Sequence, residues 1–214
     1  MERKKYRYPV LILLIAMYSA GFIGLNIPAV KHLFLTLTPF NLLVSFFIIL
    51  YWYEVRSVKF YLLSAFVFIS AYLIEVLGVH TQLIFGSYSY GSAFGLKLFE
   101  VPLLIGINWL MLIFCTASIA ERWLKGQAKI VKIAFAAFLM ILLDFFIEPI
   151  AGAYDFWYWA EGIIPHRNFI AWFFISALYH TLFFSMPLRR YNYMAEVIYF
   201  CQIIFFIGLF LISR

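Results

Sequence analysis

The stretch KIVKIAFAAFLMILLDFFIEP, from Lys129 to Pro149, is unbroken apolar sequence from Ile133 to Leu143 and carries its only acids at Asp144 and Glu148. With its neighbour Ile150 it is about 20 residues long, the length a helix needs to cross the hydrocarbon of a bilayer. A transmembrane strand would alternate polar and apolar residues over roughly ten positions, and this stretch does not. Pro149 cannot continue the helix, so the run ends there. Six runs of the same kind accompany 129–150: about 8–26, 33–53, 60–79, 100–121, 168–187 and 193–213.

The composition agrees. Of 214 residues, 66% are hydrophobic and 22% aromatic, only 12% are charged, and mean hydropathy is +0.97. Soluble domains carry about 25% charged residues. The expected fold is an all-α integral membrane protein of about seven transmembrane helices. No repeat, low-complexity tract or linker divides the chain, so 1–214 is read as one polytopic membrane domain. The formal charge of +6 has no soluble basic surface to sit on, so nucleic acid is not an expected partner. The lipid bilayer is. Cys115 and Cys201 fall inside apolar runs and suggest neither a disulfide framework nor a zinc site.

Basic residues set the orientation. At alternate ends of the runs stand Arg3, Lys4, Lys5, Arg7, Arg56, Lys59, Arg122, Lys125, Lys129, Lys132, Arg189 and Arg190; the opposite ends hold only Lys31, Lys97, Arg167 and Arg214. The positive-inside rule places the N-terminus in the cytoplasm and the C-terminus outside, which requires an odd number of spans. A basic start followed by Ser19-Ala20-Gly21 also fits a cleavable signal peptide, and the retained span is preferred. The two long loops, 80–99 and 151–167, then fall on the same, outer side.

Several chemistries lack their marks. His32, His80, His166 and His180 stand too far apart for clustered di-iron boxes, and no metal site is expected. Covalent-haem and dinucleotide motifs are absent. The last run has no lysine for a retinal Schiff base. Acid–base chemistry, transport and passive binding remain.

Acids inside spans are costly, about +2.5 to +3.5 kcal/mol for Asp near a helix centre, so each needs a reason. Glu75 lies about a turn inside the third run and Glu100 opens the fourth. Asp144 and Glu148, four apart, share one helical face. All four are expected to cluster toward the outer half of the membrane. Both members of the Asp144/Glu148 pair would repel if ionised, so one is expected to carry its proton. In the fourth run Glu100, Asn108 and Cys115 fall within about 80° of arc. In the sixth, Asn168, Trp172, Ser176 and His180 follow at i, i+4, so both stripes are expected to face inward. Interhelical hydrogen bonding is the alternative reading of each stripe. The aromatic loop at Tyr154-Asp155-Phe156-Trp157-Tyr158-Trp159 reads as an interfacial belt or as aromatic faces for a carbocation. Glu54, Glu121, Glu161 and Glu196 are read as solvated or snorkelling.

Two motifs add a family. Glu75-x-x-Gly78, Phe85-Gly86-x-Tyr88-x-Tyr90, Gly95, Val101-Pro102 and Trp109 form the first. Asp144-x-x-x-Glu148-Pro149, Trp157-x-Trp159 and Gly162-Ile163-Ile164-Pro165-x-x-Asn168-Phe169-x-x-Trp172 form the second. Together they resemble the carotenoid-biosynthesis membrane proteins of the CruF type, which include bisanhydrobacterioruberin hydratase. The chain departs at Glu148, where the family often has Asp, and at Ile170, where it often has Gly; this leaves the substrate open.

The resemblance implies a cofactor-independent lyase that hydrates the terminal double bond of an acyclic carotenoid end group to a tertiary alcohol. The implied partner is a carotenoid such as lycopene or γ-carotene, with other carotenoid enzymes as further partners. The implied location is a bacterial or archaeal cell membrane. Asp144, Glu148 and Glu75 are the expected catalytic residues. Glu100, Tyr88, Tyr90, Asn108, Trp109, Asp155, Trp157, Trp159, Asn168, Trp172 and His180 are the expected substrate-binding residues. A lycopene-type cyclase begins with the same protonation and stays open. A proton-coupled transporter is the alternative of another class, although no repeat between halves and no broken-helix pair is evident.

Overall fold

The computed structural model describes residues 5–53, 57–188 and 191–213. Arg3, Lys4, Glu54, Arg56, Arg189, Arg190 and Arg214, used above for orientation or read as solvated, lie outside these.

The helices are α1 (Arg7–Leu25), α2 (Pro28–Thr36), α3 (Thr38–Trp52), α4 (Val58–Thr81), α5 (Leu104–Trp123), α6 (Lys129–Ile147), α7 (His166–Ser185) and α8 (Tyr193–Ile212). Six are long and apolar enough to cross a membrane, and α2 with α3, bent by 48°, makes a seventh if taken as one span. The chain is an all-α integral membrane protein. Its lipid-facing surface carries exposed Ile12, Leu13, Phe47, Leu62, Phe66, Ile170, Phe174 and Ile204.

The break in the second run is a correction to its reading as one unbroken stretch. Pro39 stands in the first turn of α3, and its ring and missing N–H prevent the ladder from continuing out of α2. The apolar run is therefore broken between α2 and α3. A second break in a matching position, which would complete the transporter pattern, is not found among the described residues.

The core forms around α5, where every residue from Trp109 to Ala120 is buried. A helix apolar on all sides finds partners on all sides, and α3, α4, α6, α7 and α8 all pack on it. At one end, Arg122 of α5 pairs with Glu196 of α8 at 2.7 Å, and Lys132 of α6 with Glu121 at 3.1 Å. Glu196 is buried there and also accepts from Trp123 Nε1 at 3.1 Å, so of its two sequence readings, solvated or snorkelling, the solvated one does not hold.

At the other end the two long loops meet. Strand β1 (Tyr88–Tyr90) pairs antiparallel with β4 (Trp157–Trp159), with Tyr88 opposite Trp159 and Tyr90 opposite Trp157. A hairpin of β2 (Lys97–Leu98) and β3 (Val101–Pro102) lies between β1 and α5. Its tip, Phe99 and Glu100, takes positive φ at both positions, the conformation of a tight two-residue turn. The fourth helix thus starts at Leu104, not at residue 100, and Glu100 is exposed at the hairpin tip.

Candidate active site

Beneath the paired loops lies a cavity of about 40 Å³, room for a water molecule. Its wall holds eleven of the fourteen residues predicted for the site: Glu75, Tyr88, Tyr90, Asn108, Trp109, Asp144, Glu148, Trp157, Trp159, Asn168 and Trp172. Each element contributes for a local reason. α4 brings Glu75 and α6 brings Asp144 one turn before Pro149 forces a 3-10 turn that begins at Glu148. β1 and β4 alternate their side chains, so Tyr88, Tyr90, Trp157 and Trp159 point down while Ser89 and Tyr158 point away.

The carboxyls are buried: Asp144 is 2% exposed, Glu75 3% and Glu148 4%. Their donors are unequally shared. Glu148 Oε2 accepts from Trp157 Nε1 at 3.0 Å and Trp159 Nε1 at 2.5 Å, and its Oε1 accepts from Asn168 Nδ2 at 2.7 Å. Glu75 Oε2 accepts from the Tyr88 hydroxyl at 2.6 Å and the Tyr90 hydroxyl at 2.8 Å, and its Oε1 from Trp109 Nε1 at 2.9 Å. Among the described residues Asp144 accepts only from Asn168 Nδ2, at 3.2 Å. Asn168 thereby bridges Asp144 and Glu148. Neither ion pair seen among the described residues involves these three groups.

The aromatics therefore act through their polar edges as well as their faces. Burial, and behind it the charge on Glu75, push the phenols of Tyr88 and Tyr90 above the ordinary tyrosine range, so both keep their O–H and donate. Trp172 stacks on Trp109 with centroids 4.1 Å apart, fixing the indole that donates to Glu75. Gly78 lets this happen. A Cβ there would lie 2.6 Å from the Phe85 ring and 3.2 Å from the Tyr88 hydroxyl.

Three predicted residues do not join the cavity wall. Glu100 is at the hairpin tip. His180, fully buried, is satisfied at both ring nitrogens, by Thr116 Oγ1 at 2.8 Å and the Ser176 carbonyl at 2.7 Å; the inward stripe of α7 reaches the site only at Asn168 and Trp172. Asp155 clasps the loops, accepting from the Ser92 N–H at 2.9 Å, from the Ser92 hydroxyl and from the Tyr158 hydroxyl at 2.7 Å. Partial burial works to raise its pKa, but these hydrogen bonds and Lys97 outweigh it and hold the carboxyl below the usual range. Phe85, Met140, Leu143 and Ile147 line the site without having been predicted for it. The i+4 spacing of Met140 from Asp144 was the available signal for Met140.

A second cavity, of about 550 Å³, adjoins the first, a size in the range of ligand pockets. Asn108, Leu112, Leu143, Ile147 and Trp157 belong to both walls. The remaining wall is mostly apolar, drawn from α1, from the α2–α3 break at Leu37 and Thr38, and from Phe205 and Phe206 of α8.

The sequence profile of the carotenoid biosynthesis protein family matches residues 32–213, and the chain belongs to that family. No curated protein and no solved structure is detectably similar to it.

Proposed function

We propose that this carotenoid biosynthesis protein hydrates the terminal double bond of an acyclic carotenoid end group, with Asp144 as the acid and Glu148 as the base. The observation that carries the reading is the pair of adjoining cavities, a water-sized one walled by three carboxyls and a larger apolar one sharing part of its wall. Water and an isoprenoid end group would meet at that shared wall.

The donor census supports the division of roles. Every partner of Glu148 is an obligate N–H donor, on both oxygens, which suits a carboxylate and not a carboxylic acid. Among the described residues Asp144 has one donor and no cation beside it, so it is the group that keeps the proton. The π pair of the double bond takes that proton on its CH carbon, leaving a tertiary cation and an Asp144 carboxylate. Water attacks the cation through its lone pair and gives a proton to Glu148. Passage of that proton to Asp144, across the gap that Asn168 bridges, restores both groups and balances the reaction. Tyr88, Tyr90 and Trp109 hold Glu75 as the acceptor that orients the water, and the indoles of Trp157 and Trp159 border the cation.

The test is to express the chain in cells that accumulate lycopene and weigh the extracted pigments. A gain of one water per acyclic end, lost by about 10²–10⁴-fold in Asp144→Asn and Glu148→Gln, is expected for removal of a general acid or base. Unchanged mass with an altered spectrum would point to a cyclase, and wild-type yield from both folded variants would remove the acids from the mechanism.

A further inference from the structure

The boundary between the two cavities is formed by Asn108, Leu112, Leu143, Ile147 and Trp157, which border both. Three of these are aliphatic, and the Trp157 N–H is taken up by Glu148 at 3.0 Å. Asn108 of α5 is half-buried, and among the described residues its carboxamide has no hydrogen-bond partner. A free polar group therefore stands where the water-sized chamber meets the apolar one.

The rest of the small chamber is rich in acceptors and short of donors. Tyr88, Tyr90 and Trp109 give their hydrogens to Glu75, and Trp157 and Trp159 give theirs to Glu148. Asn168 donates to both Asp144 and Glu148. Trp172 Nε1 also lacks a partner among the described residues, but its ring is stacked on Trp109 and does not border the larger cavity. A buried water takes two to four polar partners. Here its two hydrogens can go to Glu75 and Glu148, while its oxygen needs a donor that leaves one lone pair open. The Asn108 amide N–H is such a donor.

We propose that Asn108 is a water-positioning residue that decides the fate of the cation: its amide N–H holds the attacking water at the boundary of the apolar cavity, with one lone pair aimed at the tertiary carbon. Water held there captures the cation as the alcohol. Without it the cation gives up a proton, from the carbon just protonated or from a methyl group, to one of the carboxylates. The C–H electron pair then re-forms a double bond, and no water is consumed. This rests on the hydration reading and deepens it, because Asn108 controls capture and not protonation.

The experiment supplies lycopene to the full-length protein in lipid vesicles made in deuterium oxide, and weighs both the alcohol and the recovered acyclic alkene at low conversion. A deuteron delivered by Asp144 and a proton lost from the cation leave that alkene one mass unit heavier. Wild type should form more alcohol than labelled alkene. Asn108→Leu, close in shape, should lose about ten- to a hundredfold of the alcohol, as for a misplaced reactant, while the labelled alkene persists, so that the ratio reverses. A merely structural defect lowers both together. That result, or an unchanged alcohol yield, would overturn the proposal and leave the acids in place. Asn108→Ser, smaller and still a donor, guards against misfolding of the leucine variant. It should keep at least a third of the wild-type ratio of alcohol to labelled alkene, and a full reversal in it would overturn the proposal. So would labelled alkene in excess over alcohol from wild type, which needs no variant. Neither product from wild type would overturn it together with the hydration reading.

Discussion

Asp144 and Glu148 have the same chemistry, stand one turn apart and have nearly the same burial, and differ in what donates to them. Two indoles and an amide hold Glu148, while among the described residues the amide alone reaches Asp144. A hydrogen bond to a charged group contributes about 1.5–3 kcal/mol. Trp159→Phe removes one of the three from Glu148 and keeps the ring, so turnover should fall by about ten- to a hundredfold in single-turnover assays, with the fold intact by circular dichroism. Loss of less than twofold would mean that Glu148 does not depend on this donor. The acids themselves were legible in the sequence, because charge inside an apolar run is rare enough to call for a reason. Their inequality was not, since it depends on indoles brought from a loop. His180 and Asp155 show the converse. A histidine or an aspartate is legible as a residue type, but nothing in the sequence tells that Thr116 and Ser176 satisfy the one, or that Ser92 and Tyr158 hold the other.

At the level of elements, the site depends on two loops being pinned together above the bundle. The β1–β4 pairing carries four aromatic donors downward, and Asp155 fastens it from the side. Its folded pKa is depressed, so its contribution is fully present above the unfolded value, about 3.9, and is lost as pH falls through the lower folded value. Thermal melts across pH should show Asp155→Asn less stable than wild type at pH 7, with the two curves converging in acid. Parallel curves at all pH values would show that Asp155 does not hold the loops. On α4, Gly78→Ala would place a methyl within the radius of Phe85 and Tyr88. Turnover should drop about tenfold as the Tyr88 hydroxyl moves from Glu75, in line with one hydrogen bond to a charged group; a fully active variant would show that the close approach is dispensable. The helices were readable from apolar length. The hairpin that removed Glu100 from the cluster was not, because a run beginning at residue 100 has no local feature separating a two-residue turn from a first helical turn. Pro39 did mark the bend between α2 and α3, and reading 33–53 by hydropathy alone passed over it.

Across the whole molecule, the buried helix α5 presents Asn108 and Leu112 to both cavities, and α6 presents Leu143 and Ile147. The small polar chamber therefore shares part of its wall with an apolar one bounded by α1, α2, α3 and α8. If the larger chamber holds the chain, filling it should weaken binding without touching the acids. Gly21, whose Cβ would meet only Phe205 at 3.5 Å, can take a large side chain at the expense of that space. Gly21→Phe should raise KM severalfold for a long acyclic carotenoid and leave a short isoprenoid analogue almost unaffected. An equal effect on both would indicate distortion of the bundle. The adjoining cavities were not legible in sequence, since they arise where many separated segments leave gaps.

The claim on which these predictions depend is that water is added at the three-carboxyl chamber. Purified protein in lipid vesicles, supplied with an acyclic carotenoid in oxygen-18 water, tests it by product mass. The expected product is the carotenoid plus one molecule of labelled water, with the label on the tertiary carbon and absent when Asp144→Asn is used. Product of unchanged mass, or a labelled alcohol formed equally by the Asp144 and Glu148 variants, would contradict the account.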